Sequence, residues 1–482
     1  MRKIRSAAAL AAASLIFLTA ACGETAGTAP SGGAADDETA VTEAEETETE
    51  ACSNVPDDVR FDGQTFTLLS ANYKEYHWSL VEELNGEVLN DAIFNMAADA
   101  EQKLGCEITE VQQDIWEIQK TLQKMTAAGD DTYDAAGYSG RFATFCMLDG
   151  SLQPLENAKY IDLTSPWWLP EISKSLSMKG KTYFTVGDYN ILSHNYTMAM
   201  LFNSKMAGDF GHSSAEMYDS VDAGKWTYDK LRSMMSEVTS DLDGDGKMTE
   251  SDRYGLTSFY KTCSFGTTTV LSCGETVVGI VDGAPALTWD NPRVADIIEL
   301  AYDIVHSDDV YLGAAGYTAD SFVGGRSLFL STFFMGVSYL VNMEDDYGII
   351  PCPKYDEAQA AYYNPTIDPI YTLIPITCRD PQFSGAVLDT MAFNGHNSVV
   401  GAYRDVTLKY KRSRDDITPR MVDLIFDNRV VDIGSTYLYD TCGYDYIYLN
   451  VLDKKDLNWA SYIEKNTKKT EKALGELLEF IG

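Results

Sequence analysis

From residue 61 onward the chain alternates between two hydrophobic periods. Thr65-Phe66-Thr67-Leu68-Leu69 is β-branched and apolar and ends in Ser70-Ala71-Asn72, which predicts a strand. Over Asp91 to Leu104, the residues Ile93, Met96, Ala97, Ala100 and Leu104 recur at helical spacing before Gly105, a helix stop. Glu107 to Val111 predicts a second strand. Ile115 to Met125 predicts a second helix, with Asp114 as its N-cap. Tyr133 to Tyr138, after Gly129-Asp130-Asp131, predicts a third strand. Strand and helix in alternation imply right-handed crossovers and a mostly parallel sheet. Ligands of such sheets sit at the carboxyl ends of strands, so Ser70 to Tyr73 and Tyr138 to Gly140 are placed near a site.

A second α/β region follows. Thr197 to Phe202, Arg253 to Ser258, Ser327 to Thr332, Gly348 to Ile350 and Thr372 to Ile376 read as strands. Thr227 caps a helix opening at Tyr228-Asp229-Lys230-Leu231, and Pro292 to His306 is a further helix. Thr390 to Lys411, Pro419 to Phe426 and Asn466 to Ile481 are largely helical. The chain carries no sequence repeat. Its 482 residues fit two large lobes or two to three domains.

The net charge of −36 argues against a nucleic-acid partner, because neutralising phosphates takes extended Lys/Arg patches and the basic runs are short, one at 409–414 and one in the first five residues. Those five begin a different signal. Arg2, Lys3 and Arg5 precede an apolar stretch, Ala7 to Leu18, of signal-peptide length and too short for a bilayer span. Leu18-Thr19-Ala20-Ala21-Cys22-Gly23 then resembles the lipobox of bacterial lipoproteins, with Thr19 where the family usually has Leu. That resemblance implies diacylation of Cys22, anchoring at the outer face of the cell membrane. Residues 23 to 60 are Gly, Ala, Thr and Ser followed by an acidic run from Asp36 to Glu50, with no Lys or Arg between Arg5 and Arg60. Such a stretch cannot bury enough apolar surface to order itself and reads as a tether reaching on the order of 30–35 Å. Eight Cys remain after Cys22, an even count that permits disulfides in an exported protein. Cys263 and Cys273 are the nearest pair and a candidate bridge; buried single thiols are the other reading.

Several segments, in a shared order, resemble the family 1 extracellular solute-binding proteins of ABC importers, the group that includes maltose-binding protein. They are Gly180-Lys181-Thr182-Tyr183 with Gly187-Asp188, Leu201-Phe202-Asn203-Ser204-Lys205, Gly224-Lys225-Trp226-Thr227, Gly325-Arg326-Ser327-Leu328-Phe329 and Asp346-Tyr347-Gly348-Ile349-Ile350-Pro351-Cys352-Pro353-Lys354. The resemblance implies an α/β, two-lobed periplasmic-binding-protein-like fold with a hinge of crossing strands. It places lobe one at 61–191 and 326–370 and lobe two at 192–325 and 371–482. It implies a monomer that captures a sugar or oligosaccharide between the lobes and hands it to permease subunits, with no catalysis.

Two constellations carry chemistry. Asp241-Leu242-Asp243-Gly244-Asp245-Gly246-Lys247, continuing to Asp252, has the spacing of a twelve-residue calcium loop. Its expected ligands are Asp241, Asp243, Asp245, the Lys247 carbonyl and Asp252, where Asp is one methylene shorter than the usual Glu. A strand follows instead of a second helix, which resembles the structural calcium clips of this binding-protein family and not a sensor. The second constellation is aromatic: 29 Tyr, 19 Phe and 7 Trp. A ring packs on the C–H face of a sugar while Asp, Asn and Arg bond its hydroxyls. Tyr73, Tyr138, Tyr260, Phe333 and Phe334 fall after strands at positions similar to cleft aromatics of the relatives, and Asp188 and Asn195 lie near the first crossing. Core packing is the competing reading for each.

Catalytic patterns are missing. The five His form no HExxH, and neither GxSxG nor GxGxxG occurs. Two other classes stay open at this level: a surface glycoside hydrolase, since Asp and Glu are abundant, and a calcium-stabilised adhesin.

Overall fold

The computed structural model describes residues 52–72, 80–282, 284–313, 319–409 and 417–482, without the side chains of 407–409. Its two main sheets contain β1 Thr65–Ala71, β2 Glu107–Gln113, β3 Ala135–Ser139, β4 Met198–Asn203, β5 Tyr254–Ser258, β6 Val310–Tyr311, β7 Ser327–Phe333, β8 Tyr347–Ile350 and β9 Ile370–Pro375, together with two further short strands. The first sheet runs β2-β1-β3-β9, with the two-residue strands Leu152–Gln153 and Phe184–Thr185 also paired to β9. The second runs β6-β5-β7-β4-β8.

Local sequence explains the elements. The helix Val88–Leu104 buries Ile93, Met96, Ala100 and Leu104 on one stripe. It stops at Gly105, whose φ of 70° suits a residue without Cβ and whose N–H reaches Glu101 O. Thr227 caps the helix Tyr228–Val238 by accepting from Lys230 N. The second helix, however, starts at Ile118, so Asp114 does not cap it; Asp114 Oδ1 instead accepts from Trp116 N at 2.9 Å and closes a local turn. Trp167 and Trp168 are buried and both indole N–H groups donate to Asp389 Oδ1, at 2.8 and 3.0 Å. Cys263 and Cys273 are separate buried thiols, not a bridge.

The sheets correct the expected division of the chain. Within 326–370, expected in lobe one, β7 pairs with β4 and β5, and β8 pairs with β4, all in the second sheet. Within 371–482, expected in lobe two, β9 returns to the first sheet, antiparallel to β3 with Ile370 opposite Ser139. The helix Pro381–Asn397 then packs on the helix Val88–Leu104. The physical reason is that β7 and β9 are buried on both faces. A strand with two apolar faces satisfies either sheet, so its composition does not name its partner.

Candidate functional site

Parallel pairing sets where the chemistry collects. In the first sheet β1, β2 and β3 point the same way, so Asn72, Asp114–Trp116 and Ser139–Arg141 emerge at one edge. β9 runs the opposite way and begins there, which brings in Asp368. In the second sheet β5, β6 and β7 are parallel, and Tyr260, Lys261 and Tyr311 leave from their carboxyl ends. These edges are the crevice positions of α/β sheets.

Arg141 organises the first edge. Its guanidinium carbon lies 4.5 Å from the Phe142 ring centroid, 5.1 Å from Tyr439 and 5.6 Å from Trp116. Its Nη1 donates to the Tyr439 hydroxyl at 3.1 Å. Asp368 sits beside it with a φ of 49°, an uncommon backbone state for a residue with Cβ. The Asp368 carboxylate accepts from Ser139 Oγ at 2.7 and 2.8 Å and from Arg141 N at 3.4 Å. Burial raises the Asp368 carboxyl above the usual carboxylate range, against the Ser139 hydrogen bond and the Arg141 charge. Gly140 permits the arrangement, because a Cβ there would lie 2.4 Å from Tyr371 Cε2 on β9. Tyr444 and Tyr446 extend the aromatic wall, each 6.1 Å from Tyr439. Arg141 Nε and Asp445 Oδ1 are among the buried polar atoms of the described residues that have no hydrogen-bond partner. One is a donor and the other an acceptor, while Trp116, 61% exposed, offers an open ring face.

The expected ligand residues are placed as follows. Tyr138 is 1% exposed, stacks on Phe142 at 5.1 Å and donates its hydroxyl to Ile115 O at 2.7 Å. It stands behind Arg141 and Trp116 and fixes the loop that carries Trp116. Tyr260 is half-buried and precedes the short helix Lys261–Ser264. Phe333 and Phe334 are buried, with Phe333 edge-on to Tyr196 at 5.8 Å and Phe334 against Phe426 at 4.7 Å. Asp188 is 3% exposed and belongs to a different cluster. It accepts from His396 Nδ1 at 2.7 Å and faces His194 Nε2 at 3.4 Å, while Arg429 Nη1 meets His194 Nδ1 at 2.9 Å. Asn195 joins that cluster through the Tyr403 hydroxyl, at 2.6 Å. Tyr73 and Cys22 lie outside the described residues. Sequence reasoning did not single out Trp116, Arg141, Asp368, Tyr439, Tyr444 or Asp445. The signal available was the tyrosine-dense run Tyr437 to Tyr448.

The acidic loop lies apart from this cleft. Asp241, Asp243 and Asp252 offer carboxylate oxygens all within 4.8 Å of one another. Asp241 accepts from Gly244 N and Gly246 N, each at 2.7 Å, and these contacts hold its carboxyl below the ordinary range. Asp252 is fully buried, pinned by Leu242 N at 2.8 Å and Thr249 N at 2.7 Å. Asp245 turns one oxygen to Lys247 N at 2.8 Å and is not part of the three-carboxylate group. A strand, β5, follows. Three converging hard oxygens fit Ca²⁺.

No protein-family model matches the sequence, and no curated protein matches it. Solved structures do. The sugar-binding protein MalE of Xanthomonas citri aligns with a TM-score of 0.58 at 11% identity, over 86% of this chain and 98% of that one. An ABC substrate-binding protein of Listeria monocytogenes, in complex with cycloalternan, aligns at 0.55 and 12% identity, over 86% and 100%. The GacH receptor of Streptomyces glaucescens, described unliganded and with acarbose, aligns at 0.54 and 14%, over 85% and 98%. This chain has the two-lobed fold of the MalE-like solute-binding proteins. The proteins named here are described as a sugar-binding protein, a substrate-binding protein and a receptor. Among the described residues no helix is long and apolar enough to cross a membrane.

Proposed function

We propose that this chain captures a carbohydrate between its lobes and delivers it to the permease of an ABC importer, without turning it over. The observation that carries this reading is the Arg141 box. Rings of Trp116, Phe142 and Tyr439 surround a guanidinium whose Nε–H is unspent, and Asp445 supplies an unspent acceptor in electrostatic reach of it. A sugar offers both partners, C–H faces for rings and hydroxyls that donate and accept. Contacts that need both edges at once favour the closed arrangement of the lobes over the open one. The test is a thermal-shift and calorimetry screen against a carbohydrate panel. A ligand at a hundred times its dissociation constant should stabilise by about 2.7 kcal/mol. A screen in which no carbohydrate stabilises the protein, or release of new reducing ends from oligosaccharides, overturns the proposal.

Two finer parts of the reading have their own tests. Acylation of Cys22 would place the protein on the outer face of the cell membrane as a lipid-anchored monomer, since each buried methylene contributes about 0.8 kcal/mol. Cys22→Ser should release the protein to the medium or block processing, and unchanged fractionation of that variant rejects the anchor. Structural Ca²⁺ would be held by Asp241, Asp243 and Asp252, with Asp245 and the Lys247 carbonyl completing the shell. Chelation should lower the melting temperature, added Ca²⁺ should restore it, and Asp243→Ala should abolish the response. A melting curve indifferent to both leaves the loop an ordinary turn.

A further inference from the structure

A second concavity adjoins the Arg141 box. It is an open groove of about 490 Å³ lined by Lys261, His306, Tyr311, Leu312, Tyr448 and Asp453. It opens at the carboxyl ends of β5 and β6, on the cleft side of the second sheet. Two chain segments run along both places. Cys263 and Asp445 are neighbours of Tyr444 at the box, while Lys261 and Tyr448, a few residues away in each segment, line the concavity. Lys261 Nζ lies 5.5 Å from the Tyr448 ring and 3.8 Å from Asp453 Oδ1. Tyr311 brings a half-buried ring, tilted at 36° against Tyr254 with centroids 5.2 Å apart. Tyr448–Leu452 is a single π-helical turn, a rare geometry that is frequent at functional sites.

Charge narrows the ligand. Lys261 is matched by Asp453 and Arg141 by Asp368, which leaves Asp445 as the surplus charge. Among the residues named for the two places, each cation has a carboxylate beside it, which favours a neutral polyhydroxyl chain over a uronate.

We propose that the cleft comprises two adjoining subsites, the Arg141 box and the Lys261–Tyr311–Asp453 concavity, and that its ligand is a neutral oligosaccharide spanning both, not a monosaccharide. This rests on the carbohydrate reading of the cleft. The experiment is calorimetry on the full mature chain with gluco-, galacto-, manno- and xylo-oligosaccharides, monomers through pentamers, and with trigalacturonate. In one series affinity should rise by about a hundredfold or more from monomer to trimer. Lys261→Ala and Asp453→Ala should each remove about tenfold of that gain, while the shortest sugar bound keeps its affinity. Trigalacturonate should bind weaker than every neutral trimer of the series that binds. A monosaccharide that binds as tightly as its oligomers, or a preference for trigalacturonate, overturns the two-subsite proposal and leaves the carbohydrate reading standing. Failure of every saccharide to bind overturns both.

Discussion

Replacing Arg141 by alanine should weaken ligand binding by a hundredfold or more, with a smaller loss of stability because buried Asp368 loses a neighbouring counter-charge but keeps its Ser139 hydrogen bonds. The guanidinium makes one side-chain hydrogen bond, to Tyr439, and otherwise lies among ring faces with its Nε–H unspent. Truncating one partner of a desolvated, hydrogen-bonded charged contact costs about 2–5 kcal/mol, and about 1.4 kcal/mol is tenfold in affinity. Arg141→Lys keeps the charge and loses the planar fork that lies against three rings, so it should fall between the two. Calorimetry with the best binder of the carbohydrate screen measures both variants. Unaltered affinity in Arg141→Ala removes the box from the binding site.

Asp188→Ala should show the opposite profile, a stability loss of about 3–5 kcal/mol. The carboxylate is buried against His396 and His194, and Arg429 stands behind His194. Removing it takes a counter-charge from the buried Arg429 guanidinium and leaves the His194 and His396 ring nitrogens without their acceptor. The Arg429 contact to Nδ1 makes that nitrogen the acceptor, so the proton sits on Nε2, facing Asp188. The same cluster gives stability a pH dependence. Burial, followed by the Arg429 charge, pushes His194 down to about 4. Asp188 is pushed down to about 2: burial favours its neutral form, but the hydrogen bonds from His194 and His396 outweigh that. For both groups the unfolded chain binds the proton first, so stability falls on acidification. The His194 part is lost from about pH 6.5 to about 4, and the Asp188 part from about 3.8 to about 2. The His194 part amounts to roughly 3 kcal/mol. Denaturant unfolding at pH 7 and pH 4.5 should therefore cost the wild type about 2–3 kcal/mol more than His194→Gln. Equal losses in the two proteins assign the pH dependence elsewhere.

What could be read from the sequence follows from how local its causes are. The helix stop at Gly105, the Thr227 cap and the acidic loop are set by neighbours within a few residues, and the structure has them where the pattern puts them. The two-lobed α/β fold followed from the alternation of strand and helix together with the family resemblance. The sheet to which β7, β8 and β9 belong is decided by partners far along the chain, and strands buried on both faces carry no mark of it. The site failed to show for a related reason. Every residue of β3 is buried, so side-chain alternation does not tell that Tyr138 points behind the edge while Arg141, three residues on, comes to its front. Trp116, Asp368 and Tyr439 reach Arg141 from three separate segments, and no local pattern announces their meeting.

β9 also shapes how the protein is made. Until it arrives, β3 is an unpaired strand edge with apolar residues on both faces, open to wrong partners. Ser139 at the end of β3 and its acceptor Asp368 are 229 residues apart. The ribosome, at about 5–20 residues per second, needs on the order of 10–50 s to bridge that interval. The first lobe therefore cannot close before most of the second has been synthesised. The early chain must stay unfolded or shielded for that time, so lobe one, although it begins first, is completed only after most of lobe two has been made.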